Sequence, residues 1–171
     1  MNSSQRRDKI VDILTNSTSP VTATTLAKEF SVSRQVIVGD IALIRAIGVN
    51  IFATPRGYLL KNNDESKDRL VKTIACKHDV NKLKDELYSI IDNGGAIIDV
   101  IVEHPIYGDL TGPLHIFSRY DADEFIKSVL LDNIQPLSAL TDGIHLHTIS
   151  CINEEAYQRI ISDLKSKNIL L

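Results

Sequence analysis

Cysteine is scarce in this sequence. Cys76 and Cys151 are the only two, and they form no Cys-x-x-Cys pair. That argues against a disulfide scaffold and for a reducing, cytoplasmic setting. No apolar run approaches the roughly 18 residues that a membrane-spanning helix needs, so no membrane partner is expected. Arg6-Arg7 near the start are followed by no apolar stretch, so no secretory signal is expected either. Internal repeats, low-complexity tracts, a nucleophile or oxyanion motif, and a Gly/Arg/Lys-rich nucleotide loop are all missing. What remains is ordinary for a globular protein: 171 residues, 43% hydrophobic and 24% charged, enough for one domain or two small ones.

The charge is unevenly shared. Residues 1–60 carry seven Lys+Arg against four Asp+Glu, and residues 61–171 carry twelve against eighteen. A cationic first third on an acidic body suits a nucleic-acid-binding module joined to something else. The first third reads as three short helices. Gln5–Thr15 places Ile10, Ile13 and Leu14 on one stripe. Thr22 caps a helix over Ala23–Phe30, and Ser33 caps a third from Arg34 to about Ile47, ended by Gly48. The last two helices are joined by about four residues, the spacing of a helix-turn-helix. Arg34 and Gln35 then open the recognition helix, where Arg can grip guanine and Gln adenine; Ser33 stands beside them as the cap. Residues 50–54 and 57–60 flank Pro55-Arg56 as a hairpin, placing Arg56 near the tip of a wing that touches phosphate or minor groove. Gly39 lies inside the third helix at a cost of about 1 kcal/mol relative to Ala. Close approach of a neighbouring backbone would account for it. The run Leu26-Ala27-Lys28-Glu29-Phe30-Ser31-Val32-Ser33-Arg34-Gln35-Val36-Ile37-Val38-Gly39-Asp40-Ile41 resembles the winged-helix modules of bacterial regulators.

Lys61–Asp68 is polar and lacks apolar periodicity, so the domain boundary is expected there, with a DNA-binding domain over 1–61 and a second domain over 66–171. The second domain alternates: strand Leu70–Cys76, helix Val80–Asn93, strand Ala96–Val102, strand Leu114–Ser118, helix Ala122–Leu131 capped by Asp121, strand Ile144–Cys151, and helix Glu154–Lys167 capped by Asn153. The order βαββαβα resembles a split-βαβ, ferredoxin-like sandwich, an α+β fold. Such a sheet carries its helices on one face and leaves the other open.

In Asp142-Gly143-Ile144-His145-Leu146-His147, a turn signal precedes strict alternation. Side chains alternate across a strand, so His145 and His147 share one face and form half of a metal site. Further polar candidates are His78, Glu86, His104 and His115. In a split βαβ the first and last strands can meet, bringing His78 towards the His145/His147 pair. Imidazoles with a carboxylate suit a borderline divalent ion such as Zn, Ni, Fe or Co. Cys76 is a competing soft ligand, or a small buried hydrophobe.

Lys77-His78-Asp79, Val102-Glu103-His104-Pro105-Ile106-Tyr107-Gly108, Leu114-His115-Ile116 and Leu140–Ile149, behind a winged helix, look like the 3H-domain regulators. The resemblance covers nearly the whole chain. It implies a repressor of NAD biosynthesis or niacin uptake genes that binds operator DNA as a homodimer, with nicotinic acid as corepressor. It also implies His78, Glu86, His145 and His147 as the metal ligands. His104, His115 and Arg119 are candidate corepressor contacts, Arg119 because the nicotinate carboxylate wants a cation. The alternative is a metal-dependent hydrolase or amidase tethered to a DNA-binding module, with an open metal position beside Glu103 or Asp79 activating water. A repressor–ligase of the biotin type is disfavoured by the missing nucleotide loop.

Overall fold

Helical periodicity builds the first unit. The computed structural model describes residues 2–60, 68–131 and 134–171. Its chain divides into two compact units, residues 1–65 and 66–171. The polar boundary expected over Lys61–Asp68 lies, except for Asp68, outside the described residues. In the first unit α1 (Ser3–Asn16), α2 (Ala23–Glu29) and α3 (Arg34–Ala46) precede a hairpin of β1 (Ile51–Thr54) and β2 (Gly57–Leu60). Ile10, Leu14, Leu26, Ile37, Ile41, Ile44 and Ile51 form one buried cluster. Each such aliphatic side chain contributes about 1.5–3 kcal/mol on burial. The cap on α1 was not anticipated: Asn2 and Gln5 satisfy each other's backbone N–H in a capping box. Asp40 is buried among the aliphatics and is answered by Arg6 Nε at 2.6 Å and Arg7 Nη1 at 3.6 Å.

The second unit contains β3 (Leu70–Lys77), a 3-10 turn (Val80–Lys82), α4 (Leu83–Asp92), β4 (Gly95–His104), β5 (Gly108–Ile116), α5 (Arg119–Leu131), a second 3-10 turn (Leu137–Thr141), β6 (Ile144–Cys151) and α6 (Glu154–Ser166). The sheet order is β3-β6-β4-β5, with every neighbouring pair antiparallel. β3 and β4, joined through α4, therefore run parallel with β6 between them, which is the split βαβ arrangement. Ile97, Ile149, Leu87, Ile90, Ile160 and Leu164 lie at the centre of the core. Ile144 and Leu146 are 42% and 37% exposed, whereas His145 and His147 are each 3% exposed, so the alternation reads as expected and the imidazoles face inward.

Three elements start three residues or more from where they are expected. β5 begins at Gly108, not Leu114, because only its last residues are buried; Gly108–Thr111 pairs with the outer half of β4 and stays largely in solvent. β5 is an edge strand, so Pro113 within it removes no ladder bond from a further neighbour. α5 begins at Arg119, not Ala122. The expected cap, Asp121, is the third helical residue: Ser118 Oγ accepts from its N–H, and its carboxylate accepts from Phe117 N–H. The helix expected from Val80 opens as the 3-10 turn, its first donors held by Asp79, whose carboxylate accepts from Asn81 N–H.

Candidate functional site

Four side chains converge where β3, α4 and β6 meet. The register pairs Cys76 with His145 and Ile74 with His147, so the end of β3 lies against the start of β6. Asp142 and Gly143 turn the chain into β6 with φ of 53° and 86°. A Cβ at Gly143 would lie 2.6 Å from the carbonyl oxygen of His78, so only glycine lets the two segments approach this closely. His78 follows β3, and Glu86 projects inward from the first turn of α4.

Glu86 is wholly buried. Its Oε2 lies 2.8 Å from His78 Nε2, and its Oε1 lies 2.9 Å from His145 Nε2 and 3.3 Å from His147 Nε2. Each imidazole is oriented from behind by a main-chain carbonyl: Nδ1 donates to Asp79 O (2.7 Å) from His78, to Gly143 O (2.9 Å) from His145, and to Asp99 O (2.7 Å) from His147. Donation from Nδ1 leaves the neutral ring with its lone pair on Nε2. Three lone pairs then face a carboxylate, which is itself only an acceptor. Acceptor against acceptor in a dry site is stable only with a cation between them, either protons or a metal ion. His78 Nε2, Glu86 Oε2 and His147 Nε2 are buried without a hydrogen bond of acceptable geometry.

The electrostatics follow. Burial pushes the Glu86 carboxyl up, but the three imidazoles outweigh it and hold the group well below the usual carboxylate range. Burial pulls His78 and His147 down, but the hydrogen bond and charge of Glu86 outweigh it and raise both. Cys76 is fully buried, and its thiol is pushed up by burial first and then by Glu86. Donor atoms of Cys76, Glu86 and His145 lie within 4.8 Å of one another. Nitrogen donors with one carboxylate and backbone second-shell acceptors fit a borderline divalent ion.

A cavity of about 260 Å³ opens beside this cluster. His78, Glu86, His145 and His147 form its polar end, and Leu83, Leu87, Val100, Leu114 and Phe125 its apolar wall. The segment Ile134–Ser138 also lines it, a contribution that carried no periodic signal in the sequence. The three candidate corepressor contacts lie elsewhere. Arg119 is held by Asp92 at 2.8 and 2.5 Å and sits over the Tyr88 ring. His104 accepts from Ile106 and Tyr107 N–H at the β4–β5 turn, and half-buried His115 sits 6.0 Å from the Phe117 ring. None of the three lines the cavity.

Asp99, which sequence reasoning missed, and Gly143, which it read only as a turn residue, support the site. A shift of register between Ile97 and Asp99 in β4 turns the Asp99 carbonyl onto His147, while its carboxylate accepts from Thr148 N–H. Gly143 supplies both the close approach and the acceptor for His145. In the first unit Ser33 caps α3 by accepting from Val36 N–H, Arg34 and Gln35 are exposed on its first turn, and Arg56 sits in the turn between β1 and β2.

Comparison with known proteins agrees with both halves of this description. Residues 71–171 match the 3H domain, and residues 6–59 match an HTH domain. The chain is 45% identical over 167 residues to the probable transcription repressor NiaR of Thermotoga maritima, covering 98% of this chain and 94% of that one. It is 40% identical over 167 residues to the transcription repressor NadR of Bacillus subtilis, covering 97% and 93%. An HTH unit, a split βαβ unit with inward histidines and this shared length together establish that the chain belongs to the family of 3H-domain transcription regulators.

Proposed function

We propose that the chain is a cytoplasmic transcription repressor that holds a divalent metal ion through His78, Glu86, His145 and His147. It binds operator DNA in response to nicotinic acid and thereby controls genes of NAD biosynthesis or niacin uptake. The observation that carries the metal reading is the convergence of three carbonyl-oriented imidazoles on a buried carboxylate. Acceptors facing acceptors need a cation, and this donor set suits Ni, Zn or Fe. Such an ion, when bound, supplies Lewis acidity for a nitrogen donor such as a pyridine ring. The apolar wall of the adjoining cavity suits the faces of an aromatic ring. Both relatives are named as transcription repressors, which favours the regulator over the hydrolase alternative.

One recognition helix reads too few bases to select a site in a genome, so a homodimer reading two half-sites completes the proposal. The test is an operator gel shift of the full chain titrated with nicotinate, nicotinamide and NAD, with and without chelator. Nicotinate-dependent binding that the chelator abolishes is expected. A response to nicotinate that survives complete metal removal would overturn the metal-linked mechanism. Sedimentation of the same samples should show a dimer at micromolar concentration, and a monomer would overturn that assembly.

A further inference from the structure

The glycine inside α3 has no explanation among the described residues. Gly39 sits in the middle of a thirteen-residue helix and is exposed to solvent. A Cβ built there meets nothing within 4 Å, so the close approach of a neighbouring backbone that would excuse a helical glycine is not made among the described residues. Three nearby residues of α3 are placed differently. Ile37 and Ile41 are almost wholly buried, and Asp40 is pinned by Arg6 and Arg7, which fixes the helix's rotation on its own unit. That rotation turns Gly39 outward. Residues four apart lie on one helix face, so Gly39 stands one turn below Gln35, on the surface that Gln35 opens.

We propose that Gly39 is the point of closest approach between α3 and operator DNA, where the missing side chain lets the helix backbone seat against the major-groove edge of the bases. This rests on the DNA-reading role of the HTH unit and identifies the position that sets the depth of the reading helix. An α-helix with side chains is nearly as wide as the groove that admits it, so one side chain at the contact line lifts the whole helix and lengthens its hydrogen bonds to the bases. Gln35 loses reach most, because it is one turn away on the same face. The buried side of α3 has no slack to absorb the displacement, since Ile37, Ile41 and Ile44 are locked in the core.

The proposal makes stability and binding move in opposite directions. Alanine is a better helix former than glycine, and nothing obstructs its methyl group here. Gly39→Ala should therefore raise the melting temperature of the free protein by about 4 °C or more while weakening operator binding about tenfold or more. Gly39→Val should weaken it further. Neither substitution changes a charge, so the salt dependence of the remaining binding should keep the wild-type slope, unlike the loss of a phosphate contact. The experiment is calorimetry and operator titration of full-length wild-type protein, Gly39→Ala and Gly39→Val, at two salt concentrations. A stabilised Gly39→Ala protein that binds the operator as tightly as wild type overturns the proposal. So does a reduced salt slope, which would mean that the substitution disturbs phosphate contacts and not helix depth. Failure of wild-type protein itself to select the operator over random DNA would instead strike at the repressor reading.

Discussion

Asp40 and Glu86 are buried carboxylates in the two units, and they are answered in different ways. Asp40 faces two arginines, cations at every pH a protein meets. Glu86 faces three imidazoles, which are cations only when protonated and otherwise present lone pairs. The first arrangement is complete as it stands and serves to orient α3. The second is incomplete in the neutral protein and becomes satisfied by taking up something positive. Burial alone does not distinguish them; the chemistry of the partners does.

The largest effect expected is on the incomplete site. Glu86→Gln removes the buried negative charge that all three imidazoles face, and metal affinity should fall by more than about 100-fold, since even groups that only support a metal ligand are worth 10–100-fold. Titration calorimetry of metal into the full chain measures this, and the nicotinate response should disappear while basal DNA binding persists. The matching change in the other unit, Asp40→Asn, should leave metal affinity untouched and lower the melting temperature of the HTH unit, because α1 loses its charged tie to α3. If Asp40→Asn also abolished metal binding, the contrast between the two carboxylates would fail.

The next effect is on pH dependence. In metal-free protein His78 and His147 are raised above their ordinary value of 6.5, so the stability they contribute is fully present below about that pH and is lost as pH rises through their folded values. Glu86 is lowered, so its contribution is present above its ordinary value of 4.5 and is lost as pH falls through its folded value. The second unit should therefore lose stability from pH 6 to 8 without metal. With metal, protons compete for the same nitrogens, so the stabilisation added by the ion should grow over that range. Melting curves across pH 6–8 with and without metal test the opposed slopes; parallel slopes would show that protons and metal do not share the site.

The smallest effect sharpens the comparison within the HTH unit. Arg34→Ala should remove a base contact worth about 1–3 kcal/mol and relax sequence preference. Arg56→Ala should weaken specific and random DNA alike and reduce the salt slope. Binding isotherms on operator and random duplexes separate the two outcomes.

How legible all this was depended on the physical range of each signal. The alternation of His145 and His147 is local, because a strand shows its two faces at adjacent residues, and it placed both rings correctly. The HTH unit was largely legible for the same reason: the caps Thr22 and Ser33, the apolar stripes and the four-residue connection are all short-range features, although the Asn2–Gln5 capping box was overlooked. Glu86 was a candidate by residue type alone, and only the family resemblance singled it out as a ligand, since nothing in the α4 sequence marks an inward carboxylate. The Asp99 carbonyl was not legible. Its direction comes from a register shift in β4 that exists only when β5 and β6 flank that strand. The cavity wall at Ile134–Ser138 was missed because those residues have no period. Arg119 was chosen for its charge and proximity to a strand, and the structure shows that charge already engaged by Asp92.

β6 lies between β3 and β4, although it follows both in the chain. During synthesis β4 can pair with β5, but the β3 and β4 edges that receive β6 wait unpaired until it has emerged, while the helical unit ahead of them is free to fold. High sequence separation of this kind slows folding and leaves intermediates open to aggregation. It also means that His78 and the His145/His147 pair are strangers in any chain that stops short of β6. An ion captured with the affinity of the full cluster would then mark a chain whose central strand is in place, and a chain still lacking β6 would compete poorly for it.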